Sequence, residues 1–138
     1  MNLGKINIIT PPDKLFNLNP SLLLVNPSLV VKQQMQKYLS CSIDEVNVFV
    51  YDDTEHDLDW LLSVHYRADV TVIDIDNCEP TTKLFVTYMI AHPETYYISN
   101  DELTPYGLIS KNRIYDLDAI PFFHKIGEED DEEEEGEQ

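Results

Sequence analysis

The run Ala68-Asp69-Val70-Thr71-Val72-Ile73-Asp74-Ile75-Asp76 decides the fold. It is apolar, rich in β-branched residues and closed by two carboxylates. A nearly continuous apolar run of this length reads as a strand covered on both faces, as in a parallel sheet. Ligands of open parallel sheets gather at the carboxyl ends of the strands, which is where Asp74 and Asp76 fall.

The segments on either side repeat the theme. Lys5 to Thr10 alternates and is stopped by Pro11-Pro12, which predicts a short strand. Asp13 to Pro20 reads as a loop that tucks Leu15, Phe16 and Leu18 against the body. Ser21 to Val25 is a second apolar strand, and Asn26-Pro27 then reads as a helix start, with Asn at the N-cap. Val31, Met35, Tyr38 and Leu39 give that helix a single apolar face.

Val46 to Tyr51 is the next strand, closed by Asp52-Asp53. Thr54 is placed to cap a helix, with Asp57 in the capping-box position and Leu58, Leu61, Leu62 and His65 as its inner stripe. A third helix starts near Pro80-Thr81 and ends before Pro93. Thr95 to Ile98 is a further strand, Arg113 to Tyr115 a short edge strand, and Asp118 to Phe123 a helical turn. Strands alternating with helices at this spacing imply βαβ units. The expected fold is a small three-layer sandwich, Rossmann-like or flavodoxin-like, with a mostly parallel sheet of about five strands.

Charge divides the chain in two. The formal net charge is −17, and the eight acids from Glu128 to Glu135 with a ninth at Glu137 hold nine of those charges, leaving −8 on residues 1–127. Residues 1–126 are expected to form one domain and residues 127–138 a disordered acidic tail, which has nothing apolar to bury. Nine basic residues without a cluster argue against direct nucleic-acid binding. No apolar stretch approaches the roughly 20 residues of a bilayer span, and the N-terminus lacks the order of a signal peptide. Cys41 and Cys78 show no metal or disulfide spacing. A cytoplasmic location is expected. The low glycine count with many Asn, Tyr, Ile and Asp suits an AT-rich genome such as that of many bacteriophages.

The candidate chemistry lies in Asp52, Asp53, Asp74 and Asp76. Converging strand ends would let these carboxylates hold Mg²⁺ or a raised-pKa acid. The plainer reading is that they terminate strands and cap helices. None of the four glycines lies in a strand-to-helix turn, so no backbone cradle for a pyrophosphate is encoded. His65 on an apolar stripe reads as a core histidine. Trp60 falls off the leucine stripe and, if half exposed, is the candidate interface anchor.

Three families share parts of this pattern. Leu22 to Asn26, a helix, a strand, a helix and then Asp69 to Asp74 resemble the order of a response-regulator receiver domain. That resemblance implies Asp74 as phospho-acceptor and Ser99 as the hydroxyl beside it. Receivers carry an acidic pair where this chain has Asn26-Pro27, and Lys111 and Lys125 do not sit where their lysine does. Lys5 to Pro11, with Ala68-Asp69-Val70 leading to Pro80, is similar to nucleoside deoxyribosyltransferase-like proteins. Their glutamate nucleophile has no counterpart in Phe85-Val86-Thr87-Tyr88. Asp74-Ile75-Asp76 followed by Ser99-Asn100 is similar to haloacid-dehalogenase-type phosphatases.

An intact fold pattern beside incomplete catalytic sets leads to one expectation: a non-enzymatic α/β protein, without cofactor, that works by protein–protein contact. Its acidic tail, Glu132 and Glu133 at the centre, would draw a basic partner surface. The alternative is a Mg²⁺-dependent phosphoryl-transfer or nucleotide-handling enzyme built on Asp74 and Asp76, joined by Asp52 or Asp53.

Overall fold

Among the described residues six strands and three helices follow in the order β1 (Ile6–Ile9), β2 (Ser21–Val25), α1 (Leu29–Leu39), β3 (Val46–Tyr51), α2 (Leu58–Arg67), β4 (Val70–Asp74), α3 (Pro80–Met89), β5 (Thr95–Ile98) and β6 (Arg113–Ile114). This computed structural model describes residues 5–40, 42, 44–55, 57–89, 94–99 and 113–124. The acidic run from residue 127, with Glu132 and Glu133, lies outside them, as do Cys41, His56, His92, Asn100, Lys111 and Lys125.

All strand pairs are parallel, in the order β1-β3-β2-β4-β5-β6. The run that opened the sequence reading is β4, buried throughout and paired on both sides, Leu22 with Val70 and Thr71 with Thr95. Without β1, the order is the 2-1-3-4-5 arrangement of flavodoxin-like doubly wound sheets. The sixth strand, one beyond the five or so expected, is the short β6, and β1 lies on the outer edge of β3. Its burial is incomplete, with Ile8 54% exposed, as its alternating sequence predicts for a border strand.

Side-chain period two sends each strand into two cores. On one face Leu22, Leu24, Val46, Val48, Val70 and Val72 meet Val31, Met35 and Leu39 of α1, together with Leu117, Ile120 and Phe123 near the C-terminus. On the other, Leu23, Val25, Phe49, Tyr51 and Ile73 meet Trp60, Leu61 and Val64 of α2 and Val86 and Met89 of α3. The four apolar residues of β2 are completely buried, each contributing about 1.5–3 kcal/mol of hydrophobic stabilisation.

Three local expectations change. The cap of α1 is Ser28, whose hydroxyl accepts from the Val31 N–H, while Asn26 turns the chain at φ 51°. The cap of α2 is Asp57, whose carboxylate accepts from the Trp60 N–H at 3.0 Å; Thr54 belongs to a 3₁₀ turn before it. The buried stripe of α2 is therefore Trp60, Leu61, Val64 and His65, leaving Leu58 38% exposed. In the loop before β2, Phe16 stacks on Phe49, but Leu15 and Leu18 are exposed. Among the described residues no helix is long and apolar enough to cross a membrane.

Candidate functional site

The chain leaves β2 for α1 on one face and leaves β4 for α3 on the other, so the ends of these neighbouring strands form the topological switch point, where such sheets bind ligands. Asn26 closes β2 there. Its left-handed backbone suits asparagine better than most residues, and its 7% exposed side chain ties three strand ends together. Asn26 Oδ1 accepts from the Asp53 N–H at 2.9 Å, and its Nδ2 donates to the Asn77 carbonyl at 3.2 Å. Asn77 Nδ2 returns a bond to the Asn26 carbonyl at 2.8 Å.

Two carboxylates are bonded to helix starts that follow other strands. Asp74 Oδ2 accepts from the Ser28 N–H at 3.1 Å, at the head of α1. Asp53 accepts from the Glu79 N–H at 2.7 Å and the Thr82 hydroxyl at 2.6 Å, at the head of α3. A helix start attracts negative charge, and here the chain supplies its own. Burial pushes the Asp74 carboxyl above its ordinary range, opposed by the bonds from Ser28 and helped by repulsion from Asp76. Buried Cys78 donates its thiol to the Asp74 carbonyl, and burial lifts that thiol to about 12.

The other two carboxylates are exposed. Asp52 Oδ1 accepts from both the Thr54 N–H and hydroxyl at 2.9 Å, bonds that hold it below the usual carboxylate range. Asp76 Oδ1 accepts from the Ser99 hydroxyl at 3.1 Å. Ser99 is thus engaged by Asp76, whereas the receiver resemblance places it beside Asp74.

The four carboxylates divide between two clefts that share Asn77 as a wall. Asp52 and Asp53 line a hollow of about 170 Å³ with Pro27 and Lys32. Asp74 and Asp76 line a larger one of about 320 Å³ with Val30, Gln34, Ile98 and Tyr115. Among the described residues no group of three or more His, Cys, Asp or Glu is placed to hold a metal ion. Two carboxylates share the larger cleft, one of them largely buried and tied to a helix start.

Trp60 is 2% exposed, so the half exposure that an interface anchor would need is not met. Its ring lies flat against Tyr51, and its Nε1–H donates to the Asp13 carbonyl at 2.7 Å, so it is a core residue. The loop that supplies this carbonyl covers the side of α2 that the stripe left open. His65 is buried with Nδ1 3.0 Å from the Thr71 hydroxyl, as the core reading has it. Residues that sequence reasoning passed over at the site are Ser28, Asn77, Val30 and Tyr115. The first two are reached only through long-range hydrogen bonds; an exposed valine at a helix start was the available signal for the third.

The fold and site thus define a doubly wound α/β protein whose switch point is laced by asparagines and occupied by its own carboxylates. No protein-family model matches the chain, and no curated protein matches it.

Proposed function

We propose that this chain is a non-enzymatic interaction protein that works by protein–protein contact in the cytoplasm, as an accessory protein of a bacteriophage on the compositional argument. One observation carries the reading: the switch-point carboxylates Asp74 and Asp53 are hydrogen-bonded to the heads of α1 and α3, where a substrate anion would otherwise sit. The acidic run around Glu132 and Glu133 adds long-range attraction for a basic protein surface, and the same charge repels nucleic acid and anionic membranes. The test is capture of a partner from the host, followed by a salt titration. Binding is expected to weaken as salt rises and to weaken again on deletion of residues 128–138. An affinity indifferent to both removes the tail from the proposal.

The second reading, Mg²⁺-dependent phosphoryl transfer, is favoured by the cleft that Asp74 and Asp76 share. It requires calorimetric Mg²⁺ binding that Asp74→Asn abolishes; heat-silent titration of the wild type overturns it.

A further inference from the structure

The larger cleft has apolar walls above an acidic floor. Val30, in the first turn of α1, is 59% exposed, and Tyr115, just past β6, is 71% exposed. Ile98, at the end of β5, is half-buried and lines the same hollow. Exposed apolar side chains gathered on one hollow mark a contact surface more often than scattered ones do. Tyr115 is also held in place: the Arg113 guanidinium lies 4.9 Å from its ring centroid, while Arg113 Nη2 and Nε donate to the Ser99 carbonyl at 2.6 and 3.1 Å. Arg113 itself does not line the hollow.

The floor is Asp74 and Asp76, with Gln34 as a neutral polar neighbour, and no described Lys, Arg or His lines this cleft. The chain as a whole carries −17. An apolar groove with a negative floor matches one kind of side chain, an aliphatic stem ending in a cation. Arginine with tyrosine opposite it is a frequent pairing at the centre of protein interfaces.

We propose that this groove receives a lysine or arginine side chain of a protein partner, its stem against Val30, Ile98 and Tyr115 and its charged head on Asp76 and Asp74. The proposal rests on the interaction reading above and adds to it a location and a partner chemistry. The acidic tail steers the basic surface inward, and the groove seats one residue of it.

The test follows backbone-amide shifts of the full-length ¹⁵N-labelled chain during titration with the peptide acetyl-Leu-Arg-Leu-Arg-Leu-amide. The control is the same peptide with citrulline, a neutral isostere, at both arginines. The arginine peptide is expected to shift Val30, Gln34, Asp76 and Tyr115 amides. Asp76→Asn should weaken it about threefold, the size of a largely exposed ion pair, and Tyr115→Ser should weaken it further; both positions are exposed, so the fold survives. Shifts confined to residues 128–137, or equal affinity for the citrulline peptide, overturn the groove. The first result would leave the tail's role standing. Groove binding by the peptide in a chain that captures no partner would instead count against the interaction reading and support the groove.

Discussion

Asp74 loses most of its water when the chain folds, and the Ser28 N–H replaces only part of it. Its folded-state pKa therefore lies above the unfolded value. The folded chain binds this proton more tightly than the unfolded chain, so the stability it confers is fully present below the ordinary carboxylate range and is lost as pH rises through the folded-state pKa. Asp74→Asn keeps an acceptor for Ser28 and removes the charge. It is expected to raise the urea midpoint at pH 7 and to leave it unchanged near about pH 3, where the aspartate is protonated in both states. Asp52 has the opposite sign: its lowered pKa gives stability above the unfolded value that is lost as pH falls through the folded one, and its exposure keeps the effect small. The sequence displays both residues as strand-end acids and hides their difference, because burial under other elements raises Asp74 against its bonds, whereas Asp52 stays exposed and is held low by Thr54 two residues away.

At the scale of elements, capping comes in a local and a remote form. Asp57 caps α2 from the adjacent position, so Asp57→Ala is expected to cost about 1 kcal/mol in urea denaturation. Asp53 caps α3 from the end of β3, is 5% exposed, and serves two donors. Asp53→Ala leaves both without their acceptor and is expected to cost about 2–3 kcal/mol, measured in the same way. The apolar face of α1, Val31, Met35 and Leu39, is legible from spacing alone. The stripe of α2 is not, because the helix begins at Asp57 and not at Thr54, and because an outside loop completes the burial of Trp60.

For the whole molecule, periodicity separates the strands by position: the continuous run of β2 fills the interior and the alternating run of β1 lies on the border. What periodicity does not carry is that β1 joins beyond β3, since that choice is made by pairing across 40 residues, Ile6 with Val46. The tryptophan, single in the sequence, sits in the core shared by α2, α3 and the sheet. Its fluorescence is expected to be blue-shifted in the folded protein and to red-shift on unfolding together with the far-ultraviolet circular dichroism. A red-shifted native spectrum would contradict its burial.

The border position of β1 bears on how the protein is made. Ile6, Ile8 and Ile9 leave the ribosome ahead of the other described strands, yet their place in the sheet does not exist until Val46 to Phe49 have followed. These isoleucines thus wait about forty residues of synthesis for their partner strand, an interval in which a holding chaperone that recognises short aliphatic stretches would meet them.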